Sequence, residues 1–294
     1  MHKIIYFLAY PLIYCVASLP FGILYRFSDF FQFFVFRLFG YRKKIITSNL
    51  KRAMPDKDEK EIQWIQKQFY RHFCDITLEA FKSFKMSEAQ MRKRMVFKNL
   101  EILTQFEKQH RSAIIMCGHY ASWEWMTSIG YHTQSPGYAI YTPLQNKYFD
   151  RLAQKIRKKH KAKLMSRYRA LETIKSLHQQ GKIGIYGFAS DQSPQPKPKT
   201  YWRTFLGVKV PVFVGAELLA KEMDFGVVYA RINRVKRGHY EASFELISDR
   251  ARESELYQIT NTFTEWLEQD IYCDPTQYLW THKRFKHADK APKD

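Results

Sequence analysis

The chain of 294 residues predicts an α/β fold with a largely parallel sheet, preceded by an N-terminal membrane-associated helical segment. Three observations carry this prediction. In the middle of the chain short apolar runs alternate with amphipathic stretches, the rhythm of strands joined by helices. The first forty residues are crowded with Phe, Tyr and aliphatic side chains. Hydrophobic residues make up 45% of the sequence, enough to fill a core, so a disordered chain is excluded.

The N-terminus comes first. From Ile4 to Tyr25, "IIYFLAYPLIYCVASLPFGILY" carries no charge over 22 positions, about the length that crosses a ~30 Å hydrocarbon layer as a helix. Pro11 and Pro20 interrupt a straight span, and together with "FSDFFQFFVFRLFG" the run also suits the membrane interface. Residues 1–40 are therefore read as an anchor or interfacial segment and 41–294 as the functional domain. "CVAS" is a poor cleavage site and "LIYC" lacks the small residues of a lipoprotein signal. Arg37, Arg42, Lys43 and Lys44 follow the apolar run while only Lys3 precedes it, which places the bulk of the chain in the cytoplasm. Cys15, Cys74, Cys117 and Cys273 form no C-x-x-C pair and no zinc-spaced cluster, and are read as reduced thiols.

After "NLKRAMPDKDEKEIQ" a helical period runs to about residue 95, with Ile62, Ile65, Phe69 and Phe73 on one face. "SAIIMCG", "GYAIYTP", "KIGIYGFA" and "FGVVYARI" read as strands. Helices are expected after Tyr120, near Asn146 to Lys161, after Tyr168 and after Val214, with a last helix from about Glu253 to Tyr272.

Lys and Arg number 48 against 28 Asp and Glu, a formal charge of +20. Such an excess favours polyanionic partners: nucleic acid, anionic membrane or an acidic carrier protein. Charge alone does not choose among them.

The residues able to do chemistry gather at predicted strand ends, where α/β sheets place ligands. Gly118 permits a sharp exit from "SAIIMC", and His119 follows. Glu124, after four intervening residues, is expected to reach back to one imidazole nitrogen, giving a base with an orienter that can activate a hydroxyl. A bare H-x4-E is also what a helix cap looks like. No G-x-S-x-G elbow, H-E-x-x-H site or G-x-x-x-x-G-K-[ST] loop occurs, and Cys117 reads as a core thiol, so no nucleophile, metal site or nucleotide phosphate loop is expected. "KIRKKHKAKLMSRYR" has eight cations and no acid from Lys155 to Arg169; Arg167 and Arg169, just before a helix, are the candidates for an oxyanion or phosphate site. Asp191 and Gln192 stand at another strand end before the proline-rich "SPQPKPKTYW". Trp123 and Trp125 are read as aromatic walls beside the base, with core packing for at least one of them.

Seven ordered marks give the chain a resemblance over nearly its whole length: "NLKRAMPD", "GHYASWEW", "YTPLQNKYFD", "SRYRALETIKSL", "ASDQSP", "TFLG" and "QYLWTHKRFK". It resembles the late acyltransferases of lipid A biosynthesis, enzymes with a glycerolipid-acyltransferase-like core. The resemblance implies transfer of a fatty acyl group from acyl carrier protein to a hydroxyl of a lipid A precursor. The reaction would take place at the cytoplasmic face of the inner membrane, without a cofactor, a covalent enzyme intermediate or nucleic acid. It implies His119 as general base, Glu124 as its acidic partner, Arg167 as an arginine needed for activity, Asp191 as a motif aspartate and Asn146 as a position near the site. Glu124 stands where many members have Asp, and Gln192 and Ser193 where some have His-Asp. Related folds acylate other phospholipid, glycolipid or aminolipid acceptors, and the acceptor is left open between them. A non-enzymatic basic membrane- or nucleic-acid-binding protein is the remaining alternative.

Overall fold

The computed structural model describes residues 2–292. The uncharged N-terminal run folds as two helices, α1 (His2–Ser18) and α2 (Phe21–Phe33), separated at Leu19 and Pro20. Proline has no N–H to donate and pushes the residue before it out of the helical region, so the helix ends there. No helix among the described residues is long and apolar enough to cross a membrane. The straight span that length alone suggests is replaced by a bent pair, continued by a π-helical turn at Phe34–Leu38. Along this pair Ile4, Phe7, Leu8, Leu12, Phe30, Phe33, Leu38 and Phe39 are exposed, while Val16 and Leu24 pack against Leu78.

Two helices follow, and the second of them packs against the pair. The first, α3 (Lys43–Ala53), precedes α4 (Glu59–Lys82), which opens with a reciprocal cap: Asp58 accepts from the Glu61 N–H and Glu61 accepts from the Asp58 N–H. Ile62, Ile65 and Phe69 of α4 are buried on one face, as their spacing predicts. The same helix carries a polar network. Glu79 accepts from the hydroxyls of Tyr25 and Tyr240, each at 2.8 Å, and Asp75 accepts from Ser28 at 2.6 Å. Arg237 donates to Asp75 at 2.7 and 2.8 Å and to Asp29 at 2.8 and 2.9 Å. Burial, reinforced by the Asp75 charge, pushes the Glu79 carboxyl up to about 7. Lys82 donates to the Ala17 and Leu19 carbonyls at the break between α1 and α2, at 2.9 and 2.6 Å.

The rest of the chain builds the sheet. In order come α5 (Glu88–Arg94), β1 (Met95–Lys98), α6 (Glu101–Lys108), β2 (Ala113–Cys117), β3 (Gly137–Tyr141), α7 (Lys147–Lys159), β4 (Lys163–Ser166), α8 (Ala170–Gln179) and β5 (Ile185–Ala189). A hairpin of β6 (Trp202–Phe205) and β7 (Val208–Pro211) stands apart, followed by α9 (Gly215–Met223), β8 (Gly226–Lys236), β9 (His239–Ser248) and α10 (Gln258–Cys273). The seven-stranded sheet runs β1-β9-β8-β2-β5-β3-β4, parallel at every pair except β8–β9. The carboxyl ends of β2, β5, β3 and β4 therefore share one edge of the molecule. Central β2 is buried at all five positions, as a parallel strand covered on both faces should be.

The four apolar runs read as strands are β2, β3, β5 and β8. β1, β4, β6, β7 and β9 lie outside those runs; each carries polar residues, and only the pairing makes them strands. After Tyr120 the expected helix is a 3-10 segment, Trp123–Tyr131. The last helix starts at Gln258 rather than Glu253, because Tyr257 before it adopts a left-handed backbone with φ of 67°.

Candidate active site

The ladder between β2 and β5 sets up the site. Met116 faces Phe188 and Cys117 faces Ala189, so the same register carried two residues on brings His119 beside Asp191. Strands lie ~4.8 Å apart, a gap that two side chains close easily. His119 Nδ1 lies 2.6 Å from Asp191 Oδ1. The Asp191 side chain is 2% exposed and that of His119 18%, so the pair is buried at the carboxylate and open at the ring.

The turn that delivers His119 depends on close contacts. A Cβ at Gly118 would sit 2.5 Å from Leu267 Cδ1, so α10 packs where no side chain fits; this close approach explains the glycine. Ala121 holds a positive φ of 48° and donates its N–H to the Gln277 carbonyl at 3.0 Å, a strained conformation kept by its surroundings. The C-terminal segment also holds the His119 carbonyl, which accepts from the Leu279 N–H at 3.0 Å, and Tyr120 bridges to Tyr278.

With Nδ1 bonded to the carboxylate, Nε2 faces the open side, where Gln192 Nε2 lies 3.4 Å away. The Trp123 ring meets the imidazole edge to face at 5.4 Å between centroids. Trp125, by contrast, is buried against Tyr240, so one of the two tryptophans lines the site and the other packs the core. Burial disfavours charge on His119, but the Asp191 carboxylate and the Glu124 charge outweigh it and raise the imidazole above its ordinary value. For Asp191 burial pushes upward, yet the charge and hydrogen bond of His119, with Arg284 behind, hold it low. An imidazole pinned by a carboxylate keeps one tautomer and presents its second nitrogen as a base. Cys117 beneath the pair has its thiol pushed up to about 12, first by burial and then by Asp191, so it is no nucleophile.

The sequence expected Glu124 to orient His119, and here the structure differs. Glu124 is held by Arg157, which donates Nε to Oε2 at 2.9 Å and Nη2 to Oε1 at 2.6 Å. The 3-10 segment turns the Glu124 side chain toward α7, while the ladder register hands the imidazole to Asp191. Glu124 still stands close enough to raise the His119 basicity by its charge. The motif H-x4-E thus marks two adjoining ion pairs, each made with a distant partner. Arg157 was hidden in the basic run. Its signal was helical phase, since Leu152, Ile156 and His160 set the inward face of α7 on whose border Arg157 lies.

The other candidates share the edge but not the dyad. Arg167 and Arg169 follow β4 and are exposed, and Arg167 rests over the Tyr168 ring at 5.2 Å. Two strands separate β4 from β2, which sets them about 14 Å apart at ordinary strand spacing. Asn146 caps α7, accepting from the Tyr148 N–H at 3.0 Å, and donates to the His2 carbonyl at 3.2 Å.

Comparison with known proteins places the whole chain among relatives. A family model described as bacterial lipid A biosynthesis acyltransferase matches residues 1–287. The chain is 22% identical over 281 residues to the lipid A biosynthesis lauroyltransferase of Escherichia coli (strain K12), covering 93% of this chain and 89% of that protein. It is 23% identical over 249 residues to the lipid A biosynthesis acyltransferase of Haemophilus influenzae, covering 83% and 78%. A match spanning nearly the whole chain leads to one conclusion: this chain belongs to the bacterial lipid A biosynthesis acyltransferase family.

Proposed function

We propose that the protein transfers a fatty acyl chain from the thioester of acyl carrier protein to a hydroxyl of a lipid A precursor, with His119 as general base. The observation that carries this is the 2.6 Å bond between His119 Nδ1 and Asp191, which turns Nε2 toward the open edge of the sheet, where among the described residues only the Gln192 amide contacts it, at 3.4 Å. His119 Nε2 takes the proton from the acceptor hydroxyl as its oxygen attacks the thioester carbonyl. Asp191 stabilises the imidazolium that forms. The tetrahedral oxyanion then collapses, the carbon–sulfur bond breaks, and the leaving thiolate takes the proton from His119. Arg157, fixed by Glu124 next to the site, is the candidate for oxyanion stabilisation; Arg167 and Arg169 follow β4 at the exposed edge, where an acceptor phosphate or an acidic donor can meet them. Gln192 at Nε2 and Trp123 beside the ring line the path of the acceptor.

The exposed apolar ridge of α1 and α2 supports attachment to an anionic membrane surface, the inner membrane on its cytoplasmic side, where such an acceptor would lie. The ridge is joined to the catalytic edge: Tyr6 stacks on Tyr148 at 5.5 Å, and Asn146 holds the His2 carbonyl. The test uses purified protein, a detergent-dispersed lipid A precursor and either acyl carrier protein or coenzyme A thioesters, with product masses read by mass spectrometry. One added acyl chain from the carrier-protein thioester, absent with His119→Ala, is the expected result. Equal use of the coenzyme A thioester would refute the donor assignment. Acylation of a phospholipid but not of lipid A precursor would refute the acceptor.

A further inference from the structure

The motif "QYLWTHKRFK" has no role in the steps above, yet it crosses the floor of the site. Leu279 holds the His119 carbonyl, and Tyr278 bridges to Tyr120. Three residues past His282, the chain turns inward and buries Phe285 beside Arg284, which is itself 3% exposed. Arg284 Nη1 donates to Ser193 Oγ at 2.7 Å and to the Pro211 carbonyl at 3.2 Å, while Ser193 returns its proton to the Arg284 carbonyl at 2.5 Å. Ser193 stands two residues after Asp191. Arg284 and Asp191 line one small cavity with Ser190, and the Arg284 Nε–H finds no acceptor there. A buried guanidinium costs several kcal/mol of desolvation, roughly, unless a nearby anion offsets it. Asp191 is that anion, and each group's charge favours the charged form of the other.

We infer that Arg284 is a positioning residue for the His119–Asp191 pair, acting through Asp191 rather than on the reacting atoms. The inference rests on the proposed role of His119 as base. Arg284 fixes the loop after β5 through Ser193 and keeps Asp191 anionic, so that the carboxylate always faces Nδ1. Its charge also opposes uptake of a proton by the pair. The surroundings are few: Glu124 and His282 face His119; Tyr278, Cys117 and His282 face Asp191; Tyr278, His282 and Glu268 of α10 face Arg284. Burial, with Arg284 and Lys286, holds the His282 imidazole down to about 4, so it stays neutral where His119 titrates.

The test is the pH profile of kcat/KM for the full chain, with an acyl carrier protein thioester and a detergent-dispersed lipid A precursor. Arg284→Met is expected to move the acid limb to higher pH by about one unit, since a cation that resisted protonation of the pair is gone. Arg284→Lys restores most of that position. A uniform fall in rate with an unmoved limb would mean Arg284 is only structural and overturns the inference. If Arg284→Met does not fold, Ser193→Ala removes the hydroxyl that holds Nη1; it should shift the limb the same way by less, and an unmoved limb again overturns it. Titration of the His119 ring by NMR reads the same shift without turnover. Wild-type protein that transfers no acyl group would refute the function, whereas an unshifted His119 in Arg284→Met refutes only the role of Arg284.

Discussion

Two polar networks lie within this protein, and they are built to opposite ends. Around Asp75 and Glu79 every carboxylate oxygen has a donor from Ser28, Tyr25, Tyr240 or Arg237, and the network ties α2 to α4 and to the β8–β9 hairpin. Around Asp191 the carboxylate is equally deep, but its chain of partners ends on His119 Nε2 at the open edge. The first network closes on itself and stabilises. The second runs out to a ring nitrogen met, among the described residues, only by the long 3.4 Å contact from Gln192, and in the proposed reaction a substrate hydroxyl takes that place. Burial of charge is common to both, so burial does not distinguish them; the weakly held ring nitrogen at the open edge does.

The sharpest way to break this comparison is His119→Ala, expected to lower the acyl-transfer rate by about 10²–10⁴-fold with the fold retained, measured by lipid product mass and circular dichroism. Near-normal turnover would show the open network to be as structural as the closed one. Asp191→Asn comes next. It should cost about two orders of magnitude or more in kcat and move the acid limb of kcat/KM to lower pH, because the carboxylate that raises the His119 basicity is gone. The sign is opposite to that expected for Arg284→Met. Third, Arg157→Met should lower kcat by about 10–10²-fold with little loss of stability, since the Glu124 and Arg157 side chains are 32% and 23% exposed and such pairs are worth at most about 1 kcal/mol.

The smallest effect belongs to the closed network. Glu79 has its carboxyl raised to about 7 in the fold, well above an exposed glutamate. Between the unfolded and folded values the native state holds the extra proton, so stability falls as pH rises through that window and then levels off. Glu79→Gln carries no such proton. Its Tm relative to wild type should therefore improve by a few degrees from pH 5 to pH 8, while acyl transfer stays intact. A pH-independent Tm difference would show that the tyrosine hydroxyls already compensate the charge fully.

The contrast also shows what a sequence can disclose. β2, β3, β5 and β8 are apolar runs whose burial is written in their residues, and His119 and Asp191 were placed correctly at strand ends. Their mutual bond was not legible, because it arises from the β2–β5 register, a relation between segments 72 residues apart. The nearby Glu124 was the natural partner by distance along the chain, and the 3-10 segment sends it elsewhere. Arg157 is concealed for the reverse reason: among eight cations in one run, its phase beside Leu152 and Ile156 turns it inward, but only the fold shows that Glu124 waits there. β4 and β9 escaped notice since polar side chains on one face of an edge or hairpin strand dilute the apolar pattern.

One feature of the N-terminus reaches beyond chemistry into mechanics. A break in a long apolar run ordinarily behaves as a joint, with unpaired carbonyls inviting the two arms to swing. Here the Lys82 ammonium clasps the Ala17 and Leu19 carbonyls from α4, and Arg237 grips α2 through Asp29. The corner is thereby set, and the exposed aromatic ridge is carried rigidly by the same frame that carries His119. The height and tilt of His119 above any surface the ridge rests on are then properties of the fold itself, as fixed as the angle of a bracket bolted to a wall.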